Sequence, residues 1–367
     1  MTASGNHIYA LMGNSTDFAY SDLLFRTSND GGTTFGKTIS LSQNHKFMVG
    51  DTQMISSGNN VYITEDGSYW GSSNGAVLFM ASHDNGSTFD HVTISNDTMV
   101  FAPQFAVSGN NVYIVWAEMK DQVTSIFLKK STNGGIDFSD KIKLNTQNGD
   151  VRWPKLVLVN GTDGLSVEWT QTLQSGESKL FIVKSMDGGN TFGIPFDLGG
   201  FTTGNFDFSQ IGVLENGTIY AIWTGEYDPS YSHSGVFFRT STDGGKTFGN
   251  IFDLNSQNKS GISNPIVVSS QNHIYVAGDS GTFRASNDLG STFTYVANLD
   301  TVKPSNASIA EPLFLVPEFK QDIPTLEPTN SQFSNSQNAS FVLGQPNFVS
   351  NSQSPTASTF FTPHFIM

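Results

Sequence analysis

Short apolar runs separated by polar turns recur along most of the chain. One run, rich in Ile, Val and Tyr, appears six times, as NHIYALM, NNVYITE, NNVYIVWAE, DGLSVEWT, GTIYAIWT and NHIYVAG. Another run follows each of these, as DLLFRTS, AVLFMAS, SIFLKKS, KLFIVKS, GVFFRTS and GTFRAS. A third kind of run precedes five of them, as DTQMIS, APQFAVS, WPKLVLV, FSQIGVL and NPIVVSS. Runs this short, dominated by β-branched and aromatic residues, are typical of β-strands, so the pattern predicts an all-β protein.

A polar turn string closes each unit of this pattern: SNDGGTTF, SHDNGSTF, STNGGIDF, SMDGGNTF, STDGGKTF and SNDLGSTF. A short Asp side chain at the third position can accept backbone N–H groups within its own turn. Gly at the fifth position permits a positive φ, and Phe at the eighth is expected to bury its ring between neighbouring sheets. The third copy, with Asn133 and Asp137, is expected to form a weaker version of the turn. We predict a structural role for all six third-position residues, which are Asp30, Asp84, Asn133, Asp187, Asp243 and Asp288.

These strings resemble the Asp-box, or BNR repeat, of the sialidase-like β-propellers, whose pattern is Ser-x-Asp-x-Gly-x-Thr-Phe/Trp. Five of the six match the pattern in full, and only STNGGIDF departs from it. The resemblance implies that each box joins the third and fourth strands of a blade, on the face opposite the substrate pocket. Asp30 and Asp288 lie 258 residues apart over five intervals. A period of about 52 residues suits a four-stranded propeller blade.

The first unit begins at its second strand, and the string AEPLFLV at 310–316 has the form of the strand that it lacks. We therefore predict a six-bladed β-propeller of four-stranded antiparallel blades, closed by strand 310–316 pairing with the N-terminal strand. A piece of a longer, unclosed array is the alternative. The propeller would span 1–316, with a polar linker at 317–335. Residues 336–367 resemble the start of an NHL-repeat propeller, in VLGQPNF and TASTFFTP, and are too short to bury a core, so we expect poor order there.

Composition excludes several functions. The net charge is −14 with only four Arg, which argues against nucleic-acid binding, and no apolar run is long enough to span a membrane. The chain has no Cys, its seven His are scattered, and the box carboxylates do not have EF-hand spacing, so we predict no metal and no cofactor. Asn-x-Ser/Thr triplets favour an extracellular or cell-surface glycoprotein, although a chain rich in Asn, Ser and Thr also forms such triplets by chance.

The residues that a sialidase needs are largely missing. That family surrounds the substrate carboxylate with three Arg, because a buried anion needs charge-assisted donors, and it carries an Arg-Ile-Pro signature. This chain has no such signature. Arg26, Arg239 and Arg284 share one place before the box, so only Arg152 could face a pocket. We expect no sialidase chemistry and favour a protein that binds rather than catalyses.

Aromatic and acidic residues collect instead on the face opposite the predicted box turns. Trp and Tyr stack on sugars or clamp peptides, and carboxylates accept sugar hydroxyls, so a glycan or a protein is the expected partner. The alternatives are a glycoside hydrolase that acts on a neutral glycan with paired carboxylates, and an architectural module of a larger surface protein. The candidate ligand-binding residues are Trp70, Trp116, Glu118, Arg152, Trp153, Trp169, Trp223, Glu226 and Tyr227.

Overall fold

A computed structural model describes residues 1–298, except 18–19, 43–46, 70–74, 97–98, 160–162, 201–205, 207, 227–233, 256–261, 263 and 279–280. These residues belong to one compact unit, Met1–Pro312. They form strands and turns without any α-helix, and no helix in this part of the chain is long and apolar enough to cross a membrane. The predicted strand at 310–316, the linker and the NHL-like segment all lie outside the described residues.

The described strands form six antiparallel sheets of four strands each, and every sheet is a consecutive meander. Sheet 1 contains β1 (Thr2–Ser4), β2 (His7–Asp17), β3 (Tyr20–Ser28) and β4 (Ile39–Ser40). Sheet 2 contains β5 (Phe47–Ser57), β6 (Asn60–Tyr69), β7 (Gly75–Ser82) and β8 (Asp90–Ser95). Sheet 3 contains β9 (Met99–Ser108), β10 (Asn111–Lys120), β11 (Val123–Ser131) and β12 (Ile142–Lys143).

The second half of the chain repeats this arrangement. Sheet 4 contains β13 (Gly149–Leu158), β14 (Leu165–Leu173), β15 (Ser178–Ser185) and β16 (Phe196–Asp197). Sheet 5 contains β17 (Ser209–Val213), β18 (Ile219–Glu226), β19 (Ser234–Ser241) and β20 (Phe252–Asp253). Sheet 6 contains β21 (Ile266–Ser270), β22 (His273–Ala277), β23 (Thr282–Ser286) and β24 (Thr294–Asn298).

The sheets pack face to face in chain order, which is the arrangement of a β-propeller. The first strands of neighbouring sheets contact each other from β1 through β5, β9 and β13 to β17. Along each second strand, side chains point alternately to the preceding and the following sheet. Val61 and Ile63 of sheet 2 pack against sheet 1, whereas Tyr62 packs against sheet 3. A strand buried on both faces explains why the second-strand runs are apolar without alternation.

The first sheet differs from its prediction. The sequence pattern predicts that the first unit lacks the strand that precedes its second strand. In the structure, β1 fills that place and pairs with β2, with Thr2 opposite Tyr9 and Ser4 opposite His7. The prediction that this unit begins at its second strand is therefore wrong. A three-residue strand carries too little pattern to be recognised in the sequence. Within the described residues, Ala10 and the rest of β2 have no partner on this edge.

Each box turn is held by the side chain at its third position, which is a carboxylate in five boxes and the Asn133 amide in the third. In the second box, Asp84 Oδ1 accepts the Ser82 hydroxyl at 2.7 Å and the Thr88 backbone N–H at 2.9 Å, and its Oδ2 accepts the Thr88 hydroxyl at 2.7 Å. These donors favour the ionised form and lower the pKa of Asp84 to about 2. In the third box, Asn133 accepts the Asp137 N–H at 3.0 Å and donates its amide to the Asp137 carboxylate at 3.2 Å. The same turn is thus kept with the donor and acceptor exchanged.

Candidate functional site

The end of the sheets opposite the box turns is shaped by a bulge near the start of the first strands. Strand pairing shifts register between Val49 and Thr52, beside Ala102, and between Arg152 and Lys155. Ala102, Trp153 and Asn264 have φ values of 52°, 55° and 45°, and each precedes a proline. A β-bulge turns one side chain away from the regular alternation of a strand. At this bulge the side chains of Trp153 and Asn264 are exposed, whereas Ala102 is buried.

The fourth sheet displays the largest of these side chains. Trp153 is 56% exposed, although an apolar side chain of this size normally packs in the core. Beside it, the Arg152 guanidinium forms an ion pair with Asp150 Oδ2 at 2.6 Å, and both side chains remain solvent-accessible. The Thr170 hydroxyl donates to the Arg152 carbonyl at 3.2 Å and ties the neighbouring strand to the bulge. Trp153, Arg152 and Asp150 together offer a flat ring flanked by hydrogen-bond donors and acceptors.

Three predicted ligand-binding tryptophans belong to the core instead. Trp116, Trp169 and Trp223 are at most 1% exposed. Each packs on a Phe of the adjacent strand with ring centroids 5.9 to 6.0 Å apart, so the contact is a repeated structural unit. Rings without an exposed face cannot stack on a sugar, so the prediction that they bind a ligand is corrected. Their identical place in the second-strand runs YIVW, SVEW and YAIW was the signal for a packing role.

The predicted acidic residues are also engaged with the protein itself. Glu118 is 4% exposed and accepts Lys141 Nζ at 2.8 and 2.9 Å, as well as Trp116 Nε1 at 3.3 Å. The prediction that it binds a ligand is therefore corrected as well. Glu226 is half-buried at the end of β18. Trp70 and Tyr227 lie outside the described residues.

A second group of acids lies deeper between the sheets. Asp66 accepts the Asp51 N–H at 2.5 Å and the Ala102 N–H at 3.1 Å, so it bridges the bulges of sheets 2 and 3. Burial raises its pKa to about 6, and burial with the nearby Asp66 charge raises the pKa of Glu65 to about 7. Glu168 is fully buried, with its Oε1 3.8 Å from Lys155 Nζ, and burial raises its pKa and lowers that of Lys155.

The arginines do not converge on this end. Arg26 donates to the Phe35 and Gly36 carbonyls, and Arg239 donates to the Gly249 carbonyl, so both serve the box turns. Arg284 is buried within sheet 6. Arg152 lies beside Trp153 and is paired with Asp150. Within the described ranges, no group of three or more His, Asp or Glu side chains is placed to hold a metal ion.

Asp150 was not among the predicted site residues, although the sequence contained a signal for its role. Residues two apart on a strand point to the same side, so an acid at 150 beside a base at 152 predicts an ion pair. The bulge was harder to predict, because its one signal in the sequence is a proline near the start of the first strand of a sheet. The sequence could therefore suggest the residues of this site but not the exposure of the Trp153 ring.

The architecture defines an all-β protein of the β-propeller type, and comparisons with solved structures agree with that class. Polysaccharide lyase Uly1 is 11% identical, with a TM-score of 0.54 over 80% of this chain and 80% of the lyase. An ulvan lyase of family PL25 is 9% identical, with a TM-score of 0.51 over 80% and 81%. The Hadza microbial sialidase Hz136 is 14% identical, with a TM-score of 0.44 over 76% of this chain and 66% of the sialidase. At these identities, the similarity concerns the fold alone.

Comparison with protein-family models gives no match, and neither does comparison with curated proteins.

Proposed function

We propose that this protein binds a glycan at the end of the sheets opposite the Asp-boxes, with Trp153 as the stacking platform. The observation that carries the proposal is that Trp153, at a bulge where its φ is positive, is 56% exposed. Exposed aromatic rings flanked by polar groups are characteristic of binding sites, because the apolar face of a sugar covers the ring while its hydroxyls bond the neighbours. The similarity of the fold to two polysaccharide lyases supports a glycan as the ligand class.

The surrounding charge favours a neutral glycan. Arg152 is already paired with Asp150, so its charge is largely compensated. The whole chain carries a net charge of −14, and Asp51 and Asp121 lie exposed at the same end of sheets 2 and 3. An acidic surface repels an anionic polymer and tolerates an uncharged one. Arg152 and Asp150 would then donate to and accept from neighbouring sugar hydroxyls.

The proposal includes an extracellular or cell-surface location and a closed six-bladed propeller. In this architecture, strand 310–316 would pair with the free edge of β2, beyond the part that β1 covers. The following segments, 317–335 and 336–367, would be a linker and an NHL-like piece of a second propeller. A closed ring removes exposed sheet edges, which supports a six-bladed ring over an open array.

The binding test compares two exposed apolar side chains at opposite ends of the sheets. Trp153→Ala removes the proposed platform, and Ile136→Ala removes a 58% exposed side chain in the third box turn. On an array of neutral and acidic glycans, Trp153→Ala is expected to lose binding while Ile136→Ala retains it. Equal binding by wild type and Trp153→Ala would refute the site. Binding to a protein ligand alone, lost in the same variant, would replace the glycan with a protein partner.

A glycoside hydrolase is the second candidate, and the raised pKa of Glu65, about 7, is the observation in its favour. A carboxyl group that stays protonated near neutral pH can act as a general acid. Glu65 and Asp66 are adjacent on one strand, however, so their side chains point to opposite faces of sheet 2. Release of reducing sugar from a bound neutral glycan by wild type, abolished in Glu65→Gln, would establish the hydrolase and exclude a pure binding role.

A further inference from the structure

A lysine, a serine and a glutamate meet between sheets 4 and 5, close to the Trp153 bulge. Lys155 follows the bulge on β13 and pairs with Glu168 on β14, and Ser209 begins β17 of the next sheet. Lys155 Nζ donates to the Ser209 hydroxyl oxygen at 2.5 Å and also to the Ser209 carbonyl. Glu168 Oε1 lies 3.8 Å from the same Nζ atom. The three side chains therefore form one contiguous group across the junction.

The repeat shows that the fold does not require a carboxylate at position 168. The equivalent second-strand residues of the other sheets are Leu11, Thr64, Val115, Ile222 and Ala277. Glu168 is nevertheless fully buried, and within the described residues neither of its carboxylate oxygens has a hydrogen-bond partner. Burying a carboxyl group without hydrogen bonds destabilises a fold, so the presence of Glu168 points to a role other than packing.

The fold does not require a lysine at position 155 either. The residues at the equivalent place of sheets 2, 3 and 5 are Gln53, Gln104 and Gln210. Gln53 reaches the next sheet, where its Oε1 accepts the Phe105 N–H at 3.4 Å. A glutamine can therefore make the kind of link between first strands that Lys155 makes to Ser209. A lysine adds an amine that can gain and lose a proton, and the Lys155 side chain is 31% exposed.

A second group of lysine, serine and glutamate, between sheets 2 and 3, shows the structural form of such an arrangement. Lys141 Nζ donates to both Glu118 oxygens, at 2.8 and 2.9 Å, and the Ser95 hydroxyl donates to Glu118 Oε2 at 3.3 Å. The Glu118 carboxylate thus has its donors in place, and the serine bonds the carboxylate rather than the amine. Between sheets 4 and 5 the arrangement differs, because there the amine contacts the serine and the carboxylate has no donor.

The charge state of this group favours a reactive serine. Burial raises the pKa of Glu168 and lowers the pKa of Lys155, because each charge is costly away from water. Both shifts favour the uncharged pair, in which the proton lies on the carboxyl group and Lys155 Nζ has a free electron pair. An unprotonated amine within hydrogen-bond distance of a serine hydroxyl can accept the hydroxyl proton, which is the arrangement of a nucleophile with its general base.

We propose that Ser209 is a nucleophile and Lys155 its general base, and that their substrate is a carboxylic ester with a small acyl group. Ser209 Oγ forms a bond to the carbonyl carbon of the ester while its proton passes to Lys155 Nζ. The bond from that carbon to the alcohol oxygen then breaks, and the alcohol leaves with the proton. A water molecule attacks the acyl group on Ser209 in the same way, which releases the carboxylic acid and restores the serine hydroxyl. Ser209 is 6% exposed, so a small acyl group fits beside it better than a long one.

Labelling of the full chain with a fluorophosphonate tests the proposal, because a nucleophilic serine displaces fluoride from the phosphorus and keeps the phosphonyl group. Peptide mapping of the labelled wild type is expected to locate the adduct on Ser209. Lys155→Gln introduces the residue of three other sheets and is expected to slow labelling about 100-fold or more, because a positioned base contributes about 10²–10⁴-fold. Ser95→Ala removes the hydroxyl of the other group and should be labelled at the wild-type rate.

Three results would overturn the proposal: no adduct on the wild type, an adduct on a residue other than Ser209, or labelling of folded Lys155→Gln at the wild-type rate. Hydrolysis of p-nitrophenyl acetate is a second measurement, in which the wild type is expected to release p-nitrophenol and Ser209→Ala is not. The octanoate ester is expected to react more slowly than the acetate, and faster hydrolysis of the octanoate would contradict a small acyl group. The activity goes beyond glycan binding and does not depend on it. Since none of these reagents contains a sugar, their results are independent of the Trp153 binding test.

Discussion

The packing of box glycines against aromatic rings can be tested by adding a single methyl group. Gly135 has φ +88°, and a Cβ placed on it would lie 2.3 Å from Phe79 Cε1 of the preceding sheet. Real Cβ atoms do not approach a carbon this closely, and the Phe79 ring is held by its own neighbours. Gly135→Ala therefore combines an unfavourable backbone conformation with an overpacked core.

The two contributions can be separated by a matched glycine. Gly244 has φ +69°, and a Cβ on it would meet nothing within 4 Å. Gly244→Ala should therefore cost only the backbone term, about 1 kcal/mol. Gly135→Ala adds overpacking, typically about 1–3 kcal/mol, so its total is about 2–4 kcal/mol. The difference between the two variants isolates the contact between neighbouring sheets.

Urea unfolding monitored by tryptophan fluorescence measures both variants against the wild type. Three tryptophans are buried between sheets, so loss of inter-sheet packing changes their emission. A Gly135→Ala destabilisation no larger than that of Gly244→Ala would refute the packing argument.

Two further predictions concern pH. Burial and the Asp66 charge raise the pKa of Glu65 from 4.5 to about 7, so the wild type should lose stability, about 3 kcal/mol, as pH rises from 4.5 through 7. Glu65→Gln should remove that loss, and identical wild-type and variant stability curves between pH 5 and 8 would contradict it. The pKa of Asp84 is lowered to about 2, so its contribution is present above pH 3.8 and lost as pH falls through 2. Asp84→Asn should flatten acid unfolding in this window, measured as the thermal midpoint against pH, and an unchanged slope would count against the carboxylate's role.

The strand pattern was readable from the sequence because each unit repeats the same local physics. Second-strand runs such as NNVYIVWAE are apolar throughout since both faces of β10 are covered, and the box fixes where each third strand ends. The short strand β1 escaped detection because three residues carry no periodicity. It occupies the edge of β2 at His7 to Tyr9.

The site was only partly readable, because burial depends on tertiary packing that one strand cannot reveal. Trp116 and Trp153 both lie near the predicted face, yet one is fully buried and the other is 56% exposed. Trp116 follows the regular alternation of β10 toward sheet 2, whereas Trp153 sits on a bulge that interrupts the alternation of β13. Likewise, nothing in the sequence around Glu118 indicates that it forms an ion pair with Lys141.

A repeat protein supplies an internal comparison for every position, and this comparison separates folding from function at Trp153. Ala102 occupies the equivalent bulge with nearly the same backbone conformation, φ 52° against 55°, and also precedes a proline. The bulge therefore does not require an indole. Packing does not require it either, because Ala102 is 5% exposed while Trp153 is 56% exposed. A large exposed aromatic that neither backbone nor core demands is best explained by a contact outside the chain, which is the reason for proposing Trp153 as the binding platform.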